Sequence, residues 1–305
     1  MTTMDRSTGV GERMRVLLVA ILCLCISGDA SAQAGQKFLD EGIRLMRDGK
    51  PDKAESQFEK AIAAEPKVGL YHMWLGNAVG QQASTASTIK QPFMARRIKA
   101  EFEKAIALDP SLLDARDGLI QFYLQAPGFM GGSPAKAREQ QREIAQRDAV
   151  RGHLSAATIA WHGRDTVGTE RELKAAVAAA PDRVNTVIAL AQRQAAWGRT
   201  SAAFATLNGF LARHPTDIAI RFQWGRLAAS TGTELARGET MLRALLAEPD
   251  WVVERSRPSK AAVHYRLGMI LEKSGKKPEA KASYQTAVTL DPQLKVAKDA
   301  LAALK

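Results

Sequence analysis

A proline returns along this chain at the end of successive alanine-rich runs, at Pro66, Pro110, Pro181, Pro215, Pro249 and Pro292. The steps from 181 to 215 and from 215 to 249 are both 34 residues. A fixed period of this size marks a chain that uses one supersecondary unit many times over. Alanine-rich stretches with few β-branched runs make that unit helical. Proline cannot continue a helix, and it forces the residue before it into extended backbone. Each one therefore stops a helix and turns the chain into the next unit.

Between the prolines, small and large residues fall in phase. The first unit has Gly42, Ala54, Phe58, Ala61 and Pro66, and the last has Leu267, Gly268, Ala280, Tyr284, Ala287 and Pro292. The second gives Leu75, Gly76, Phe102, Ala105 and Pro110, and weaker copies follow at Leu173, Ala176 and Pro181, at Leu190, Ala191, Ala203 and Pro215, and at Trp224, Gly225, Ala244 and Pro249. A third unit runs from Leu113 to Ala149, with Ala149 in place of the proline. The pattern resembles the tetratricopeptide repeat family, whose unit reads W-x2-L-G-x2-Y, then A-x3-F, then A and P.

That resemblance implies an all-α fold, a right-handed α-solenoid of about seven helix pairs with a C-terminal capping helix. The repeats are expected at about 35–68, 69–112, 113–149, 150–183, 184–217, 218–251 and 261–294, with the cap at 294–305. Small residues let the two helices of a pair approach closely, and large ones fill the gaps between turns. One pair buries only part of its apolar face, so neighbours must stack. After Pro292, Leu294, Val296, Ala297, Ala300, Leu301 and Leu304 alternate with lysines, as an amphipathic cap should.

The N-terminus speaks to compartment. Arg13 and Arg15 precede an apolar run from Val16 to Ile26, and Ala30-Ser31-Ala32 follows. This is the layout of a secretory signal peptide over 1–32, cut before Gln33, with a periplasmic or secreted destination after Sec-type export. The run is too short for the roughly 20 apolar residues that span a bilayer, so no transmembrane segment is expected after signal removal. Cys23 and Cys25 both fall inside it, which leaves the mature chain no thiol for disulfides, catalysis or zinc. The Tyr71-His72-Met73-Trp74-Leu75-Gly76 helix and the 123–132 segment are similar to a group of exported bacterial tetratricopeptide proteins of unassigned activity. The likeness bears on compartment and fold, and adds nothing on chemistry.

Three repeats are overlong. The step from Pro66 to Pro110 is 44 residues, with the excess placed around Gln81 to Arg97 and carrying Phe93 and Met94. The third repeat holds a loop from Ala126 to Pro134 with Phe129 and Met130 at its tip, and a further excess lies around Trp251 to Lys260. Insertions in solenoids map to loops on one face, often the binding face, so Phe93, Met94, Phe129 and Met130 are candidate partner contacts. The alternative is that these apolar tips fold back over the adjacent repeat. Gly128, Gly131 and Gly132 lie between helices and lack a following Lys-Ser/Thr pair, so they are no phosphate-cradling loop.

In the family, the first helix of each pair lines the concave surface. Carried over by position, this nominates Trp74, Asn77, Gln121, Trp161, His162, Gln192, Phe222, Arg226, Tyr265 and Arg266. Rings supply contact area and amides bond a main chain, a combination suited to an extended peptide. The alternative for the rings is packing between repeats. Some members clamp a terminal carboxylate with lysines and asparagines, but here Leu39 and Ile43 stand at those first-repeat positions.

No catalytic constellation is expected. His72, His153 and His264 recur at one repeat position, which separates them, and His162 and His214 are isolated. No H-E-x-x-H, G-x-S-x-G or S-x-x-K motif stands in a supporting context. The sequence thus reads as a non-enzymatic interaction scaffold of the bacterial cell envelope without cofactor or metal, taking a partner peptide or protein in its groove. Formal charge is +11. Basic clusters at Lys90, Arg96, Arg97 and Lys99 and at Lys273, Lys276, Lys277 and Lys281 offer the other reading, a binder of anionic envelope polymers or membrane surface. Export argues against nucleic acid, while peripheral contact with the envelope stays open.

Overall fold

The computed structural model describes residues 33–248 and 258–304. The expected signal segment with Cys23 and Cys25 lies outside the described residues, as does most of the 251–260 insertion. Among the described residues the regular structure is entirely helical. The helices divide into two compact units that meet in sequence between Arg147 and Asp148.

The first unit holds three pairs. Helix α1 spans 33–47 and pairs with α2, Pro51–Ala64. Helix α3, Gly69–Ala83, pairs with α4, Gln91–Leu108. Helix α5, Leu113–Gln125, pairs with α6, Pro134–Ala145, and a 3-10 turn at Gly128–Met130 lies between them. The second unit holds four pairs and a cap: α7 (Ala149–His162) with α8 (Thr166–Ala179), and α9 (Val184–Ala196) with α10 (Thr200–Leu211). Helix α11 (Ile218–Thr231) then pairs with α12 (Leu235–Leu246), and α13 (Lys260–Lys273) with α14 (Lys277–Leu290), before α15 (Lys295–Ala303). This is the all-α solenoid class that the repeat implied, with its seven helix pairs and cap.

Local chemistry sets the helix starts. Ser133, Asp148, Asp165, Asp217 and Ser259 each accept a backbone N–H from the first turn of the helix that follows. Such a cap stabilises a helix by about 1 kcal/mol. Proline stands in the first turn of α2, α4, α6 and α14, where its missing N–H costs nothing.

The repeat's small and large positions meet as expected. Gly42 faces the ring of Phe58, Gly76 and Gly118 flank the ring of Phe102, and Gly268 faces Tyr284. Phe58, Phe102 and Tyr284 are buried by these contacts. Each such ring, fully buried, stabilises the fold by about 1.5–3 kcal/mol. In the second unit the core is continuous from Val187 to Tyr284 and centres on Trp224. Ala300, Leu301 and Leu304 close its last layer.

One expectation about the second repeat needs correcting. The excess residues make only a short loop, 84–90, and α4 begins at Gln91 because Pro92 sits in its first turn. Phe93 and Met94 therefore stand on a helix and not in a loop.

Candidate functional site

Each unit carries a cavity to which first helices contribute. In the first unit, α3, α4, α5 and the loop after α5 enclose about 470 Å³. Ala95, Ile98, Phe102, Phe122 and Met130 supply its apolar lining, and Asn77, Gln91, Gln121 and Gln125 supply amides. Such a surface accepts an apolar side chain while bonding the main chain that carries it.

The loop that closes this cavity is held by its own backbone. The Gly131 N–H donates to Gly128 O, that of Gly132 to Pro127 O, and that of Ser133 to Tyr123 O, at 3.0, 3.1 and 2.8 Å. Gly131 takes φ +101, a left-handed value that favours glycine. The turn sends its two apolar residues in opposite directions. Met130 enters the cavity lining, and Phe129 is 84% exposed. Of the two readings for apolar tips, packing holds for Met130 and exposure for Phe129. Phe93 is 70% exposed and Met94 half-buried. Ile89, which the sequence reading passed over, is 83% exposed in the 84–90 loop. Its one signal was an apolar residue inside a Ser/Thr-rich insertion.

In the second unit a cavity of about 290 Å³ gathers residues of α9, α11 and α13. Gln192, Arg226 and Arg266 line it together with Gln223, over a wall that includes Ile188, Ala191 and Leu227. Gln192 Nε2 stands 3.5 Å from Gln223 Oε1. Burial, and then the nearby charge of Arg266, push the Arg226 guanidinium below its ordinary value.

The nominated rings divide between packing and exposure. Trp74 stacks on Phe58 at 5.9 Å, Phe222 packs against the core of the second unit, and Tyr265 lies 6.0 Å from Tyr284. Trp161 is 44% exposed, with Trp197 6.3 Å away and the Arg193 guanidinium 4.0 Å from its ring centre. His162 is exposed beside it at the end of α7.

The recurring histidines do structural work. His72 Nδ1 lies 2.7 Å from Glu101 and His153 Nδ1 2.9 Å from Glu172, each tying a first helix to its second. His264 is half-buried, and that burial lowers its pKa, aided by Lys260. Among the described residues no three His, Cys, Asp or Glu side chains gather as a metal site would require. Nor is any described helix long and apolar enough to cross a membrane.

The basic clusters are compensated in part. Arg97 bridges Glu55 and Glu59 at 2.5 Å each, and Lys99 pairs with Glu103 at 2.9 Å. Lys276 pairs with Glu239 at 2.9 Å, and Lys273 donates to Ser230 O at 3.0 Å.

Family comparison falls on the units whose glycine–ring contacts are described above. Tetratricopeptide repeat profiles match residues 39–82 and 261–294. The chain carries tetratricopeptide repeats at both places. The chain is also similar to solved structures. A tetratricopeptide repeat protein from Parabacteroides merdae ATCC 43184 is 13% identical, covering 89% of this chain and 99% of that one, with a TM-score of 0.49. Yeast Tom70 is 12% identical over 89% of this chain, with a TM-score of 0.59, and the match spans 56% of Tom70. A monomeric IFIT1 mutant with Gppp-AAAA is 15% identical over 88% of this chain and 62% of its own, with a TM-score of 0.51. No curated protein matches the chain in sequence. At these identities the likeness to Tom70 and to the IFIT1 mutant establishes the fold alone. The repeat is generally a non-catalytic scaffold, and most of the polar groups lining both cavities stand on first helices, with Gln91 of α4 among the exceptions.

Proposed function

We propose that this chain is a non-enzymatic interaction scaffold of the bacterial cell envelope. It is exported by cleavage before Gln33 and holds a segment of a partner protein against its first-helix faces. The observation that carries this reading is the convergence in the first unit. Asn77 of α3, Gln121 of α5 and Met130 of the inserted turn, contributed by three separate segments, line one cavity. Amides around an apolar floor fit a peptide main chain with one buried side chain.

The test is affinity capture by the chain from Gln33 onward, from envelope extract, at low and high salt. A partner retained at high salt and lost from Met130→Asp, with unchanged helical circular dichroism, supports the scaffold. Capture that vanishes with salt and is indifferent to Met130→Asp would instead mark polyanion binding by the basic surface and sink this reading.

A further inference from the structure

Two arginines in the second unit are partly enclosed with no counter-charge among the described residues. Arg226 of α11 and Arg266 of α13 are both half-buried and line the same cavity. Neither forms an ion pair with any described carboxylate. Among the described residues the Arg266 guanidinium reaches Met269 Sδ, a weak acceptor at 3.2 Å, and lies 4.9 Å from the Tyr265 ring centre, and it meets no anion. Comparably enclosed arginines elsewhere are answered. Arg221 pairs with Glu248 at 3.0 Å, and Arg116 bonds Gln140 at 2.9 Å with Glu143 3.7 Å away. The acidic residues of the surrounding helices are committed too: Glu239 to Arg243 and Lys276, and Glu272 to the Tyr284 hydroxyl. Two like charges brought together away from bulk water are unfavourable unless something of opposite sign joins them.

We propose that Arg226 and Arg266, flanked by Gln192 and Gln223, are a receptor for a carboxylate carried by the partner peptide. The assignment deepens the scaffold reading and rests on it. A guanidinium presents parallel N–H donors that match the two oxygens of a carboxylate. The glutamines, only loosely bonded to each other at 3.5 Å, are free to turn their amides to the flanking main chain. The apolar wall of Ile188, Ala191 and Leu227 takes the stem of the acidic residue. This pair stands on α11 and α13, whereas the first repeat has Leu39 and Ile43 where a terminal-carboxylate clamp would need polar groups. A side-chain carboxylate is therefore the favoured source, and the chain end is the other.

The experiment uses the protein from Gln33 onward, immobilised, and three randomised heptapeptide pools. The first has a fixed central glutamate and an amidated end. The second has glutamine in its place, and the third has no acidic residue but a free C-terminal carboxylate. We expect about tenfold greater retention of the glutamate pool than of the glutamine pool, lost in Arg226→Gln/Arg266→Gln. Arg226→Lys, which keeps the charge but not the fork, should retain an intermediate amount. Preferential retention of the third pool, also lost in the double variant, supports the carboxylate receptor and moves its source to the chain end. Equal retention of glutamate and glutamine pools overturns the assignment. So does an undiminished glutamate preference in the double variant, or displacement of the peptides by a single-stranded RNA oligonucleotide. If the envelope capture described above succeeds while the pools show no preference, the scaffold stands and this receptor falls. If capture fails while the pools discriminate, the carboxylate site stands without a scaffold role.

Discussion

A Cβ built on Gly268 would meet Cδ1 of the Tyr284 ring at 2.5 Å, closer than any real side chain tolerates. The same relationship recurs between Gly42 and Phe58 in the first repeat, and Gly225 meets Leu242 in the sixth. One contact, copied along the chain, sets how closely the two helices of a pair can approach.

The contact has a test with opposite signs. Gly268→Ala should cost about 1–3 kcal/mol, since the extra methyl must displace a ring that is itself buried. Gly209→Ala should stabilise by about 0.5–1 kcal/mol, because Gly209 is an exposed position of α10 with nothing near its missing Cβ. Urea midpoints of both variants decide it. Equal and small shifts would remove the glycine–ring contact as a determinant of the pair.

Trp224 is fully buried, and its indole N–H donates to Asn208 Oδ1 at 3.0 Å. The Arg237 Nη2 donates to the same oxygen, also at 3.0 Å. Asn208→Leu should destabilise the second unit by about 1–3 kcal/mol, the cost of leaving a buried donor unmade. Asn208→Asp keeps the acceptor and should lose less. The order of the two melting temperatures is the measurement, and the reverse order would show that the oxygen is not what Trp224 requires.

The glycine–ring contacts were legible in the sequence because they are local and repeated. Gly268 and Tyr284 sit sixteen places apart in a unit whose period was already visible. The resemblance to the repeat family likewise nominated Asn77, Gln121, Gln192, Arg226 and Arg266, all of which line cavities. What register could not tell was which rings are spent on packing. Trp74 and Tyr265 turn to Phe58 and Tyr284, whereas Trp161 at the end of α7 does not reach a core. Nor could it show that Arg226 and Arg266 lack a counter-charge among the described residues. That depends on where Glu239, Glu248 and Glu272 find partners, which only the packed helices determine. Phe93 and Met94 were misplaced for a simpler reason. Composition suggested a loop, and the helix-starting role of Pro92 was given too little weight.

Gly132 is where the inserted turn is least forgiving. A Cβ there would run into the backbone carbonyl of Ala126, which cannot swing aside as a side chain can. Gly132→Ala should open the turn, withdraw Met130 from the first cavity and shorten the protection of the Ser133 amide against hydrogen exchange. Gly128→Ala, with open space around its missing Cβ, serves as the control. Matching exchange rates in the two variants would mean that the turn is not closed through Gly132.

Glu170 should make the second unit sensitive to acid. Its carboxylate accepts from Lys174 at 3.0 Å and from the Gln194 amide at 3.2 Å, and it forms an ion pair with Arg199. The hydrogen bond from Lys174, with the Gln194 amide and the charges of Lys174 and Arg199, outweighs burial and holds its pKa below the ordinary 4.5. A carboxyl that is more acidic folded than unfolded favours the folded state above its unfolded pKa. That contribution is lost as pH falls from about 4.5 through the lower folded value. Glu172 and Glu239 are depressed in the same direction and should steepen the loss. Glu170→Gln removes one titrating carboxylate, so the variant should be less stable than the parent at pH 7 and the two should converge towards pH 3. Urea midpoints between those limits provide the test. A gap that stays constant with pH would mean that the ion pair contributes nothing, and that Gln194, also bonded by Thr206 at 2.8 Å, holds α8 to α9 through neutral hydrogen bonds alone.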